Sequence, residues 1–461
     1  MEKQIPKEVL DIYKKIQKAG FEVYLVGGSV RGLLEEKEVK DWDMATNAKP
    51  EEILKLFPNS FYDNKFGTVG IPIEIEKKPQ VLEVTTFRTE KGYEDRRHPK
   101  EVLWGKTIEE DLSRRDFTIN AIALRLTSLA QGKPSSFQII DPYGGEKDLK
   151  NKIIKAVGDP EKRFKEDALR LIRGVRLATQ LSFEVEEKTW KDLVENASLI
   201  QEISWERIRD ELLKILASNN PYEGILFLKE SGLLKFIIPE LLEGIDVSQV
   251  RPGRHHVTDV FTHNLLSLKF TPSKDPTVRF ATLLHDIAKP RVAGKDEEGL
   301  VTFYNHEVVG AKLAADIADR LRFSKKERQK VYTLIRWHMF SVDEHITDSA
   351  VRRFIRRVGL ENVKDIIDLR IGERLGGGTA TAESWRLKLF KKRIESELHP
   401  PFSINDMAVD GHDVMKILDI EPGPRVGKIL QKLFEEVDED LSKNKKEHLI
   451  ERIKDLDKEM N

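Results

Sequence analysis

Asp41 and Asp43 flank Trp42 in this chain. In an extended segment, residues i and i+2 point to one face, so the two carboxylates project side by side. They repel one another unless a cation sits between them, and hard oxygen donors in that arrangement suit one or two Mg2+ ions gripping a triphosphate. Upstream, the β-rich run FEVYLV closes on Gly27-Gly28 and passes into a helical VRGLLEE. Glycines there let backbone N–H groups approach phosphate oxygens, and the helix start adds a positive dipole end. Arg31 can reach the same phosphates. Glu83, in the strand-like LEVTT, is either a third carboxylate on a neighbouring strand or an edge-strand surface residue.

Arg114 and Arg115 offer planar donors to a triphosphate. Asp116 and Asn120, in the same DLSRRDFTINAIA segment, can hydrogen-bond ribose hydroxyls. Asp167 and Arg170 are three apart and would share one helix face. They are either a common surface ion pair or a base reader, in which the carboxylate accepts from an exocyclic amine and the guanidinium donates to a ring nitrogen or carbonyl. Such a pair accepts C or A and rejects U and G. Arg173 and Arg176 extend the same helix. Farther on, His263, His285-Asp286, His306 and His338 fall in helical pattern. Imidazole with carboxylate binds divalent metals, although a single helical histidine is usually only packed and hydrogen-bonded.

The 461 residues exceed one ordinary domain. Lys plus Arg number 78 against 79 Asp plus Glu, a net charge of -1, so a nucleic-acid binder of this balance must sort its charges by face. The absence of cysteine excludes disulfides and any Cys-ligated metal site. No apolar run is long enough for a membrane span and the first residues lack a signal-peptide pattern, so the expectation is a soluble, cytoplasmic protein. Residues 1–145 read as mixed α/β, with a helix over Val9–Ala19 and strands in FEVYLV, LEVTTF and FQIID; the rest is helical by period. The expected fold class is α+β: a small mixed-sheet head (1–145), a helical neck (146–220), a helical body (221–390) and a helical tail (391–461). Basic clusters at Lys325-Lys326, Arg352-Arg353, Arg356-Arg357 and Lys391-Lys392-Arg393 are candidate phosphate contacts.

GGSVR followed by DWDMAT resembles the first motif of the class II tRNA nucleotidyltransferases, the family that includes the bacterial poly(A) polymerases, except that Gly32 stands where the family usually has Asp. RRDFTINAIA is similar to the second motif, Asp141-Pro142-Tyr143-Gly144-Gly145 to the linking third, and Glu166-Asp167-Ala168-Leu169-Arg170 to the fourth. The resemblance implies template-independent addition of nucleotides to a tRNA 3′ end from CTP and ATP. Asp41 and Asp43 would hold two Mg2+ ions, and Asp167 with Arg170 would read the base. Phe66-Gly67-Thr68-Val69 looks like the tRNA-repairing branch, and the stretch from Phe87 to Pro99 resembles the loop of full CCA-adding enzymes; A-adding and poly(A)-adding relatives are the alternative. GRHHVTDVFTHN…LLHDIAKP resembles an appended HD domain, with His255 and His256 at its entrance. That likeness implies a second divalent metal on the histidine cluster and hydrolysis of a 2′,3′-cyclic phosphate or phosphate monoester, with Glu373 where the family usually supplies Asp. A hydrolase with a nucleotide-binding head is therefore a further alternative. Oligomeric state is not legible in the sequence.

Overall fold

The computed structural model describes residues 5–39, 41–62, 67–93, 99–127, 137–249, 258–340, 345–397 and 403–460. The chain begins with helix α1 (Lys7–Lys18), strand β1 (Val23–Val26), helix α2 (Gly28–Leu34), strand β2 (Asp43–Thr46) and helix α3 (Pro50–Leu56). Strands β3 (Phe61–Tyr62), β4 (Thr68–Ile75) and β5 (Lys78–Thr86) follow, then the hairpin β6 (Arg88–Tyr93) and β7 (Pro99–Trp104). Helix α4 (Ile108–Ser113), a 3-10 turn at Thr118–Asn120, strands β8 (Ala123–Leu126) and β9 (Phe137–Ile140) and helix α5 (Gly145–Asn151) complete the mixed region.

Seven strands form one mixed sheet in the order β3-β4-β5-β2-β1-β8-β9. β1 is apolar and buried at every position, which follows from a central place with both faces covered. Its alternate residues feed two cores. Leu25 joins Met44, Leu82 and Leu124 against Val9, Ile12 and Ile16 of α1, whereas Tyr24 and Val26 join Ala45, Phe87 and Leu112 on the other side. The Tyr13 hydroxyl donates to the Val23 carbonyl at 2.6 Å and accepts from the Leu126 amide at 3.0 Å, pinning α1 across the sheet. β2 and β5 run parallel with Asp43 opposite Glu83, so the register brings both acids to neighbouring strands.

Helix α6 (Pro160–Glu166) and helix α7 (Leu169–Leu181) follow, and helices Glu187–Glu195, Trp205–Leu216 and Pro221–Glu230 extend the helical region. The chain divides into two compact units, one of residues 1–242 with 320–323, the other of 243–319 with 324–461. The expected boundary at 390 falls inside the helix Trp385–Ser396.

In the second unit, helices Val260–Phe270 and Val363–Gly376 touch backbone to side: a Cβ on Gly372 would meet the Ser267 carbonyl oxygen at 2.5 Å, and one on Gly376 the Ser267 nitrogen at 2.6 Å. The last helices, Gly411–Leu418, Pro424–Glu439 and Lys446–Glu459, close over their own core of Val414, Ile429, Leu433 and Ile453. Among the described residues, no helix is long and apolar enough to cross a membrane.

The basic face expected on Asp348–Val358 is largely consumed internally. Arg352 Nε donates to Asp438 at 3.0 Å and its Nη1 to Glu397 at 2.9 Å, Arg356 Nη2 donates to the other Asp438 oxygen at 2.6 Å, and Arg357 lies over the Trp337 ring. Likewise Lys391 pairs with Glu383 and Arg393 with Asp348. Sequence spacing located these charges on one face but could not see the acids facing them. Because the Asp438 side chain is buried, Asp438→Ala leaves two guanidinium groups without their carboxylate, and urea unfolding should show a loss of about 3 kcal/mol.

Candidate functional site

A polar cavity of about 580 Å3 opens in the first unit, where the C-terminal half of the strand–helix turn after β1 meets β2, β5 and α7. Gly27, Gly28, Arg31, Asp43, Glu83, Arg114, Arg115, Asp116, Asn120, Asp167, Arg170, Arg173 and Arg176 all line it. Asp41 is not among the lining residues: it is exposed and sits in a bend, since β2 begins only at Asp43. Trp42 between them is buried in the sheet core, and its carbonyl accepts from the Glu83 amide at 3.2 Å. Asp41 is still close enough that its charge raises the pKa of Asp43, which burial already pushes above the usual carboxylate range and Arg115 pulls down.

Gly27 has φ +70, a conformation open mainly to glycine, and a Cβ there would lie 3.3 Å from both Asp43 Oδ2 and Arg115 Nη1. The glycine therefore keeps the floor of the cavity open between an acid and a base. Gly32 has a different reason: a Cβ on it would meet Val39 Cγ2 at 2.8 Å, so the segment returning toward β2 fills the space a side chain would need.

Among the described residues, eight arginines line the cavity against four carboxylates, Asp43, Glu83, Asp116 and Asp167. Such a concentration of positive charge is built to receive a polyanion. Arg31, Arg114, Arg115, Arg170, Arg173, Arg176 and Arg207 are each aimed by a partner. Arg114 donates to Asp111 Oδ1 at 2.8 Å, and Arg115 donates to Asp111 Oδ2 from Nη2 at 3.0 Å and to the Asn120 carbonyl at 3.3 Å. Burial alone would raise the pKa of Asp111, but the two guanidinium groups outweigh it and hold that carboxyl well below the usual range. Asp116 is held low in the same way against burial, first by Arg173, whose Nη2 lies 2.7 Å from Oδ2, and then by Asn120, which donates to Oδ1 at 3.1 Å. Arg31 in turn donates to Asn120 Oδ1. The turn that carries Asn120 is clamped from outside. Asp141 accepts from the Gly145 and Glu146 amides at 2.7 and 2.9 Å, and Gly145 lies so close to Thr118 that a Cβ would sit 2.1 Å from its carbonyl oxygen.

Asp167 and Arg170 both line the cavity but do not share one continuous helix. α6 ends at Glu166, Asp167 is extended (φ −141, ψ 104), and α7 starts at Leu169, with the Asp167 carboxylate accepting the Leu169 amide at 3.1 Å. An aspartate bonding its own downstream backbone competes with helix continuation, which explains the break. Arg207 Nη2 donates to Asp167 at 3.0 Å. Arg170 donates to Glu166 at 3.0 Å and to the carbonyls of Arg163 and Arg114 at 3.0 and 2.7 Å. Arg176 pairs with Glu211.

Sequence reasoning missed Asp111, Arg88 and Arg207. Asp111 was detectable, standing three and four residues before Arg114 and Arg115; Arg207 comes from the helix Trp205–Leu216 with no spacing to betray it. Phe66 and the stretch 94–98 lie outside the described residues, as do His255 and His256.

In the second unit, His263, His285, Asp286, His306 and His338 are all buried and converge. Asp286 Oδ2 lies 3.3 Å from His285 Nε2 and 3.5 Å from His263 Nε2; Asp286 Oδ1 lies 3.3 Å from His306 Nε2 and 3.9 Å from His338 Nε2. The Nδ1 atoms of His285, His306 and His338 sit 2.7–2.8 Å from the backbone carbonyls of Thr282, Phe303 and Ile335. A carbonyl only accepts, so each Nδ1 carries a proton and, in a neutral ring, each Nε2 presents a lone pair inward. Burial lowers the pKa of His338 to about 4, so its ring is neutral near pH 7. Glu373, whose carboxyl is held down to about 2 against burial by Arg370 and then His338 and His285, completes the charge around the cluster. The Lys289 ammonium reaches Asp286 Oδ2 at 2.6 Å.

Three segments match described families: residues 23–155 match "Poly A polymerase head domain", 182–244 "Probable RNA and SrmB-binding site of polymerase A", and 300–453 "tRNA nucleotidyltransferase domain 2". A CCA-adding enzyme of Lactobacillus helveticus is 47% identical over 299 residues, covering 65% of this chain and 71% of that protein. An A-adding tRNA nucleotidyltransferase of Deinococcus radiodurans is 35% identical over 341 residues, covering 71% and 75%. Among solved structures, the CCA-adding enzyme of Bacillus stearothermophilus in complex with CTP superposes with a TM-score of 0.70 at 25% identity, covering 98% of each chain.

The depressed pKa of Asp111 has a sign that can be checked. A carboxylate with a lower pKa folded than unfolded stabilises the fold above its unfolded value, about 4, and the contribution disappears as pH falls through the folded value. Asp111→Asn should therefore lose about 3 kcal/mol of stability at pH 7. Thermal melts from pH 7 down to about 3 should show the gap to the unaltered protein narrowing below about pH 4.

Proposed function

The chain belongs to the class II tRNA nucleotidyltransferase and poly(A) polymerase family and is a nucleotidyltransferase, and on that premise we propose that it adds C, C and A to the 3′ end of tRNA from CTP and ATP without a nucleic-acid template. The observation that carries the reading is one cavity that holds the strand-borne acids Asp43 and Glu83 together with Asp167 and Arg170. Chemistry at a phosphate and inspection of a base then share a single space.

Asp41 and Asp43, with Glu83 beside them, are the residues that would hold Mg2+. The donor set fits: all are hard carboxylate oxygens, and the mutual effect of Asp41 and Asp43, added to burial, leaves Asp43 short of positive charge despite Arg115. When bound, the metal ions lower the pKa of the RNA 3′-hydroxyl and neutralise charge on the α-phosphate and leaving pyrophosphate. The chain supplies the rest. Arg31, Arg114 and Arg115 receive the triphosphate, already oriented by Asn120 and Asp111, so little reorganisation accompanies the reaction. Asp116, fixed by Arg173 and Asn120, faces the ribose. A cytosine or adenine exchanges with the resting partners Arg207 and Glu166 to engage Asp167 and Arg170, a swap of charged hydrogen bonds that a uracil or guanine edge cannot complete. The stretch from Phe87 to Pro99, whose described part supplies β6 and the first residue of β7, supports full CCA over single-nucleotide addition.

The experiment is direct. Purified protein given tRNA lacking its 3′ end with CTP and ATP should yield products ending in two C and one A on sequencing, and Asp43→Ala or Asp41→Ala should lower the rate by at least about 1000-fold while leaving the melting curve intact. Long A tails, or A added only to tRNA already ending in CC, would transfer the reading to the poly(A) or A-adding branch.

One observation favours a second activity. Among the described residues, the buried Nε2 atoms of His306 and His338 have no hydrogen-bond partner, and lone pairs facing a carboxylate are unfavourable without a cation among them. Nitrogen and carboxylate donors with carbonyl-anchored Nδ1 atoms fit a divalent transition metal, as in an HD phosphohydrolase acting on a phosphate ester. Equilibrium dialysis against Mn2+ or Ni2+ should find a site that Asp286→Asn or His306→Ala removes and Asp43→Ala leaves in place. Lack of any such site removes the hydrolase reading.

A further inference from the structure

The second unit holds another cavity, of about 380 Å3, that neither activity above uses. Helix Val363–Gly376 brings Arg370 and Arg374 to it, and the first turn of helix Trp385–Ser396 brings Trp385 and Arg386. Phe340 forms an apolar wall, held by stacking on Phe390 at 5.5 Å between ring centres and by a tilted contact with Phe354 at 4.9 Å. Trp385, by contrast, is 58% exposed, with the Arg386 guanidinium 5.3 Å from its ring centre. A large indole left in water beside a cavity is an unfilled stacking surface.

The charges are equally unfilled. Among the described residues, Arg370 pairs with Glu373 at 2.8 Å, whereas Arg374 and Arg386 have no carboxylate partner. Among the described residues, the buried Nε of Arg374 has no hydrogen-bond acceptor. A donor desolvated in this way points to an acceptor supplied from outside the chain. An aliphatic anion would leave the indole wet, and a neutral aromatic would leave the guanidinium groups unpaired. A ligand that carries both a flat ring and a phosphate satisfies both.

We propose that this cavity binds a nucleoside monophosphate unit, its base stacked on Trp385 and its phosphate held by Arg374 and Arg386. The unit is either a free mononucleotide or the terminal residue of an RNA strand, since the chemistry presented is the same. Arg370 also lines the cavity beside the histidine cluster, so a bound nucleotide would lie next to it; the binding itself does not depend on a metal there.

Photolabelling of the full chain with 8-azido-AMP, in EDTA so that neither proposed metal site contributes, tests this. The label is expected on the peptide carrying Trp385. It should fall about tenfold in Trp385→Ala and in Arg374→Ala, and be unaffected there by Arg115→Ala in the first cavity. Circular dichroism melts verify that the variants are folded. Competition identifies the source: displacement at lower concentration by a short oligoribonucleotide than by AMP marks an RNA end, and displacement by AMP alone marks a free nucleotide. No label on that peptide, or label that survives both substitutions in folded protein, overturns the proposal.

Discussion

Guanidinium groups gathered around one cavity repel one another, and everything in the first unit is arranged around making that crowd tolerable. Asp111 divides its two oxygens between Arg114 and Arg115, Asp116 takes Arg173, Glu166 takes Arg170, Glu211 takes Arg176 and Asp167 takes Arg207. Each of these acids neutralises part of the charge and fixes the direction of what remains. A net charge of -1 for the whole chain thus coexists with a cavity whose lining holds more arginines than carboxylates, because Asp111, Glu166 and Glu211 compensate from outside the lining while Asp116 and Asp167 share it.

Close backbone approach is the second requirement, and glycine supplies it where nothing else fits. Gly27 separates Asp43 from Arg115 at a positive φ, and Gly145 lets α5 abut the turn carrying Asn120. The sheet sets the acids: pairing of β2 with β5 places Asp43 opposite Glu83, while the buried Trp42 keeps the intervening residue in the core. Altering any of these moves a phosphate-facing group through its support, without touching the group itself.

Much of this was legible in the sequence because it depends on short spacings. The Gly pair between a β-rich run and a helix and the RRDFTIN segment each carry their geometry in a few residues, whereas the extended alternation expected around Trp42 starts only at Asp43, Asp41 lying in a bend before β2. Partners from distant elements were not legible. Arg207 meets Asp167 across forty positions, and Asp438 meets Arg352 across eighty-six. For that reason the basic helix Asp348–Val358 read as an open face when two of its arginines were already engaged. The break between α6 and α7 escaped for a local reason: a helical period continues through Glu166-Asp167-Ala168-Leu169, but the Asp167 side chain bonds the Leu169 amide and ends the helix there.

The central claim is that Asp41 and Asp43 and the Asp167–Arg170 pair act on two ends of one nucleotide. A crystal of the protein grown with Mn2+ and a non-hydrolysable CTP analogue examines it most directly, because manganese scatters anomalously and marks its own position. The account predicts anomalous peaks at the Asp41 and Asp43 carboxylates, the triphosphate among Arg31, Arg114 and Arg115, and the cytosine edge against Asp167 and Arg170. Manganese bound elsewhere, or a base facing away from that pair, would contradict it.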